Sequence, residues 1–182
     1  VGLTGARRDW NPAAIHSETV DWLRRSIGDG RVICGVSGGV DSTVAARLFR
    51  EALPPERLEL LHVDNGLMRK EESAQVLEFF GGLGLGSHVH FADASETFLN
   101  ALGKTVEPEA KRKIIGDTFI DVFNEKAREL GIEEHLLGQG TIYPDTVETG
   151  GTKRADTIKT HHNRVQVIED LIAQGRVVEP LK

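Results

Sequence analysis

Only one cysteine, Cys34, occurs in the 182 residues, so no disulfide can form within the chain. That is compatible with a reducing cytosol, and a cytoplasmic location is the expectation. No apolar run reaches the roughly 18 residues that a membrane helix needs, so no membrane partner is expected. Positive charge is also scarce. The 22 Lys and Arg are outnumbered by 28 Asp and Glu, for a formal net charge of −6. Proteins that bind long polyanions are ordinarily basic, so DNA is not an expected partner. A small anion, held by a few local groups, is still compatible with that charge. Two familiar phosphate-loop patterns, G-x-x-x-x-G-K-[ST] and G-x-G-x-x-G, are missing as well. "GGLGLG" (81–86) follows a helical pattern and precedes a strand, the wrong polarity for a dinucleotide loop, and reads as a turn.

What is present fits a globular α/β domain. Hydrophobic residues make up 39% and charged residues 27%, and the length can bury a core without metal or disulfide staples. Residues 1–10 carry two glycines and "ARRD", show no secretory pattern and read as a linker. Residues 11–182 read as one domain. The chain opens at Val1 and closes at Lys182 after "VVEPLK", which reads as a piece of a longer protein.

Asn11 and Pro12 start a helix as N-cap and first helical residue, with Ile15, Thr19, Trp22, Leu23 and Ile27 on one face. "RVICGV" and "LELLHVD" are short, apolar on consecutive positions, and suit strands covered on both sides. Helical spacing follows at 42–53, 70–80 and 95–102, and over 108–130 with a stripe through Ile115, Phe119, Val122, Phe123 and Leu130. "SHVHFAD" (87–93), "EHLLGQG" (134–140) and "RVVEPL" read as further strands, and "RVQVIEDLIAQG" as a helix before the last. The alternation predicts a doubly wound, mostly parallel five-stranded sheet with helices on both faces. Ligands of such sheets sit at the carboxyl ends of the strands. The unusual segments 37–42, 64–69, 93–95 and 138–163 all fall there.

"SGGVDS" (37–42) lies between the first strand and a helix. Helix-start amides are unpaired and carry partial positive charge, and glycines let a backbone approach a ligand. With the hydroxyls of Ser37 and Ser42, the segment predicts an anion cradle. Asp41 is out of place there unless a cation lies between it and the anion. Mg²⁺ shared between a carboxylate and phosphate oxygens resolves the conflict, and helix capping is the plainer alternative.

"VDNGLMR" (63–69) reads either as a turn or as the adenosine side of a cleft. In "PEAKRKIIG" (108–116), Lys111 and Arg112 flank the stripe through Ile115 while Lys113 points away, so at most two cations share one anion. A solvated basic face balanced by Glu107 and Glu109 is the plainer reading. "GQGTIYPDTVET" (138–149) carries Asp145 and Glu148 three apart in what could be a surface loop. "KTHHN" (159–163) packs Lys159, His161, His162 and Asn163 together without the partners of a zinc site, so proton handling or phosphate contact is the expectation.

"SGGVDS" by itself resembles the pyrophosphate loop of the ATP pyrophosphatase families, which include GMP, NAD and asparagine synthetases and several tRNA-modifying enzymes. In order, "SGGVDS", "VDNGLMR", "DASE", "KRKIIG", "GQGTIYPD" and "IKTHHN" resemble the ATP pyrophosphatase domain of the GMP synthetase family, over about residues 10–182. The last three motifs are specific to that family. One departure is "RVQVIEDLIAQG", which stands where many members have a "GGLP" segment. The family's glutamine amidotransferase domain and C-terminal dimerisation domain have no counterpart in these residues.

The resemblance implies an adenine nucleotide alpha hydrolase-like fold, ATP and Mg²⁺ as cofactors, and xanthosine monophosphate and ammonia as substrates. The xanthine O2 attacks the α-phosphorus of ATP, pyrophosphate leaves, and ammonia displaces AMP to give GMP. It places pyrophosphate on Ser37, Gly38, Gly39, Val40, Asp41 and Ser42, with Mg²⁺ on Asp41, and adenine near Val63 and Gly138. Lys111 and Arg112 become candidates for substrate or phosphate binding. Asp145, Glu148, Lys159, His161 and His162 become the catalytic candidates, on a lid spanning 141–163. A glutamine amidotransferase domain or subunit is the implied partner, and the full-length protein a homodimer. Another amidating or thiolating pyrophosphatase such as NAD synthetase, and a non-catalytic ATP-binding module, are the alternatives.

Overall fold

Residues 11–141 and 171–181 are described by a computed structural model. Helix α1 (Pro12–Ile27) begins where expected, with the Ala14 amide donating to Asn11 Oδ1 at 2.8 Å. It leads into β1 (Val32–Gly35), then α2 (Val40–Ala52), β2 (Leu58–Asp64), α3 (Glu72–Phe80), β3 (Val89–Asp93), α4 (Ser95–Leu102), α5 (Pro108–Glu129), β4 (Leu136–Gly138) and β5 (Val177–Val178). All pairings are parallel, in the order β3-β2-β1-β4-β5.

Alternating side chains of β1 and β2 serve two separate cores, as a doubly covered sheet requires. Val32, Cys34, Leu58 and Leu60 pack with Phe49 of α2, Leu23 of α1 and Phe80 of α3 on one face. Ile33, Leu61 and Val63 pack with Phe98 of α4 and Phe123 of α5 on the other, joined by Leu171 and Ile172. Burial pushes the Cys34 thiol up to about 12, so at neutral pH it is an inert apolar group.

Several details differ from the sequence expectation. The buried stripe of α1 is Val20, Leu23 and Ile27, whereas Ile15 and Trp22 are exposed and border a groove beside β5. "GGLGLG" does not turn sharply. It continues α3 as a loosened helical turn that breaks at Gly84, where φ is 74°. The third, fourth and fifth strands are shorter than the segments expected, at Val89–Asp93, Leu136–Gly138 and Val177–Val178, and a tight helical turn over Gly86–His88 takes up the start of the third. Of the helix expected before β5, only the end at 171–173 falls within the described residues.

Candidate functional site

β1 is flanked by β2 on one side and β4 on the other, so the direction in which successive strands are added to the sheet reverses at β1 while every strand stays parallel. The loops leaving their carboxyl ends part there and open a crevice, the usual ligand position in such sheets. Cys34 and Gly138 are register partners at this point. A Cβ on Gly138 would lie 2.7 Å from Phe49 Cε2 and 3.0 Å from Val32 Cγ1, so close packing demands glycine.

The loop after β1 has the predicted cradle form. Gly38 adopts φ 80°, a conformation that favours glycine, and a Cβ there would meet Val76 Cγ2 at 2.5 Å. Gly39 is the N-cap of α2 and no side chain caps that helix, so its first-turn amides face outward without an intrahelical acceptor. The Ser37 amide donates to Ser42 Oγ at 3.3 Å, the two hydroxyls lie 3.2 Å apart, and Ser42 donates to the Gly39 carbonyl at 3.1 Å. These bonds hold both hydroxyls at the mouth of the helix.

Asp41 sits exposed in the first turn of α2. It is not the cap: Gly39 occupies that position, and the Asp41 carboxylate bonds to no group among the described residues. Among those residues, no group of three or more His, Cys, Asp or Glu could hold a metal by itself. A single hard carboxylate beside a cradle suits a cation whose other ligands are phosphate oxygens and water, the preference of Mg²⁺. The loop after β4 reaches the same spot. A Cβ on Gly140 would come within 3.0 Å of the Asp41 carbonyl and 3.1 Å of the Ser42 amide nitrogen, so the "GQG" backbone rests on the first turn of α2.

Next to the cradle a cavity of about 860 Å³ runs between α5 and the sheet. Ser37, Val63 and Gly138 line it, as the sequence reading expected of the nucleotide crevice. Asn65 and Met68, from the 63–69 segment that reads as a turn or as the adenosine side of a cleft, line it too, and so do Phe119 and Asn124, which were not foreseen. The helical stripe through Phe119 and Phe123 reads as core, and periodicity cannot separate core from cavity wall. Both rings pack against the end of β1, where a Cβ on Gly35 would stand in ordinary contact with each at 3.7 Å.

Lys111 and Arg112 are not brought to this cavity. Arg112 pairs with Glu109 and Lys113 with Asp117 at 2.7 Å, both along α5 itself. Glu107 caps α5 through the Ala110 amide, and the amides of Ala110 and then Glu109 hold its carboxyl below the ordinary range. Asp145, Glu148, Lys159, His161 and His162 lie outside the described residues.

The all-parallel doubly wound sheet, with a glycine-hinged loop at its switch point, defines an α/β protein of the adenine nucleotide alpha hydrolase-like fold. Residues 15–131 match the NAD synthase family model, and the chain belongs to that family. It is 45% identical over 180 residues to the glutamine-hydrolyzing GMP synthase of Syntrophomonas wolfei, covering 99% of this chain and 34% of the relative. The corresponding protein of Shewanella putrefaciens is 43% identical over 182 residues, again covering 99% and 34%. The chain thus spans about a third of the length of these relatives. Among solved structures, the NH3-dependent NAD synthetase of Campylobacter jejuni superposes with a TM-score of 0.63 at 16% identity, over 79% of this chain and 62% of the other. A U34-tRNA thiolase from Methanococcus maripaludis gives 0.62 at 18% identity, over 94% and 61%. At such identities the likeness is one of fold.

Proposed function

We propose that the chain is the ATP pyrophosphatase part of an amidating carbon–nitrogen ligase that converts xanthosine monophosphate to GMP, releasing AMP and pyrophosphate. The observation that carries this reading is the open end of α2: uncapped amides, a glycine at positive φ and two aligned hydroxyls beside an uncommitted carboxylate. Ser37, Gly38, Gly39, Val40 and Ser42 hold the pyrophosphate of ATP, and Asp41 holds Mg²⁺, which neutralises phosphoryl charge. The base lies in the crevice by Val63 and Gly138. The reaction needs mainly placement and charge neutralisation, and a preformed cradle supplies both.

Asp145, Glu148, Lys159, His161 and His162 complete the site by positioning the attacking groups and stabilising charge at the α-phosphate. Lys111 and Arg112 are left outside this assignment, because neither lines the cavity and Arg112 is paired with Glu109. Similarity to the GMP synthases supports xanthosine monophosphate as acceptor. Ammonia comes from a glutamine amidotransferase domain or subunit, and the whole protein is a homodimer in the cytoplasm.

Membership of the NAD synthase family supports a second reading, amidation of another adenylated acceptor. Pyrophosphate release with ATP, Mg²⁺ and ammonium, measured with and without xanthosine monophosphate, separates the two. Release that depends on this nucleotide is expected. Release elicited only by a dinucleotide acid would replace the first reading with the second. If ATP is not bound at all, both fail.

A further inference from the structure

Behind the cradle lies a line of polar groups, buried at His62 and half-buried at Ser73 and Asp64, that the proposed chemistry does not use. His62 is fully buried on β2, stacked against Phe91 at 6.0 Å between ring centroids. Its Nδ1 is 2.7 Å from the Val36 carbonyl oxygen, and its Nε2 is 3.0 Å from Ser73 Oγ on α3. Ser73 Oγ is in turn 2.7 Å from Asp64 Oδ2, while Asp64 Oδ1 accepts the Gly66 amide at 2.9 Å.

Hydrogens can be counted along this line. Three contacts need three hydrogens. A carbonyl and an ionised carboxylate have none to give, a hydroxyl has one and a neutral imidazole has one. Two hydrogens leave one pair of lone-pair atoms facing each other at 3.0 Å or less in contacts that are buried at His62 Nδ1 and half-buried beyond it, an arrangement that polar groups shielded from water avoid. Two charged groups on the neighbouring elements are engaged elsewhere. Asp93 on β3, the register partner of Asp64, bonds to Ser95, and Glu72 on α3 accepts the Arg69 amide.

The far end of the line has a geometric consequence. The Val36 carbonyl and the Ser37 amide belong to one planar trans peptide, so they point in opposite directions. The Val36 amide is already tied to the Leu61 carbonyl at 2.9 Å. Fixing the Val36 carbonyl on His62 therefore aims the Ser37 N–H at the other side, where it meets Ser42 Oγ in the cradle.

We propose that His62, Ser73 and Asp64 share a third hydrogen, with both ring nitrogens of His62 protonated, and that this closed line is a positioning device that orients the first amide of the cradle. As far as it concerns ATP, the inference rests on the functional reading above. His62 touches no reacting atom; it acts through the Val36–Ser37 peptide.

Nitrogen-15 NMR of the chain tests the hydrogen count without any ligand. Both His62 ring nitrogens are expected to carry hydrogen at neutral pH, and Ser73→Ala is expected to abolish that state. A bare Nε2 in the unaltered chain overturns the proposal. ATP binding by calorimetry tests the positioning. His62→Asn keeps a donor where Nδ1 sits and should bind ATP as the parent does. His62→Gln and His62→Phe lose that donor and should weaken binding about two- to tenfold, the worth of one net hydrogen bond. Equal affinity across all three, or an Asn variant as weak as Phe, overturns it. Thermal unfolding identifies variants that fail to fold; the nitrogen spectrum of the parent then decides. Failure of the parent to bind ATP sinks the functional reading alone and leaves the spectrum as the judge of the hydrogen count.

Discussion

Gly38→Ala places two separate strains on the cradle, and they can be measured apart. The first is conformational: φ of 80° costs a residue with a Cβ about 1–2 kcal/mol. The second is steric: the new methyl would sit 2.5 Å from Val76 Cγ2, about 1 Å inside ordinary contact, on a side chain that is itself buried. Overpacking of that kind costs about 1–3 kcal/mol. Together the substitution should destabilise the protein by about 2–5 kcal/mol, or force the loop out of shape. Val76→Ala removes the clashing methyl and, at roughly 0.8 kcal/mol per carbon plus a cavity term, costs about 2 kcal/mol by itself. In the Val76→Ala background only the conformational strain remains, so Gly38→Ala should cost about 1–2 kcal/mol there. The cycle should therefore show a coupling of about 1–3 kcal/mol, read from urea unfolding midpoints at constant slope. Additivity within about 0.5 kcal/mol would refute the contact between loop and α3. An ATP affinity unchanged by Gly38→Ala would refute the cradle.

Asp41→Ala should lower stability by less than about 1 kcal/mol, because the side chain is exposed and contributes only its interaction with the α2 dipole. The same variant should abolish pyrophosphate formation, and retained turnover would remove Asp41 from the metal role. Cys34 should resist alkylation in the folded chain at pH 8 and react at once in denaturant; rapid native-state labelling would contradict its burial. His135 is held below its ordinary value, first by burial and then by the charge of Arg31, with Glu59 opposing. The unfolded chain thus binds a proton, below about pH 6.5, before the folded one does. The stability this group contributes is present above that pH and lost as pH falls toward the folded value. His135→Gln should flatten the decline in unfolding free energy between pH 7 and 5, and an unchanged slope would contradict the direction.

Local signals were legible for physical reasons. Asn11 and Pro12 mark a helix start because the orphan amides there need an acceptor and the missing proline N–H costs nothing. The continuous apolar runs of β1 and β2 foretold a sheet covered on both faces, and "SGGVDS" between strand and helix foretold a glycine-hinged loop opening onto a helix start. Less legible was what depends on distant neighbours. Trp22 and Ile15 share the helical period of α1 yet stay outside its core, because α2 packs on the Val20–Leu23–Ile27 line. Phe119 has the spacing of a core residue and ends as a cavity wall.

Composition and local pattern alone determined the class of fold, the parallel run of the strands and the place where a glycine-hinged loop meets an uncapped helix start, since each follows from periodicity, helix-end amides or glycine backbone freedom. The position of β4 beside β1, which makes that place a crevice, was decided by tertiary structure. So was the meeting of His62 with Val36, 26 residues apart, and with Ser73 on the next helix. Strand order and side-chain partnership come from how two faces of one sheet are filled at once, and no window of neighbouring residues contains that information.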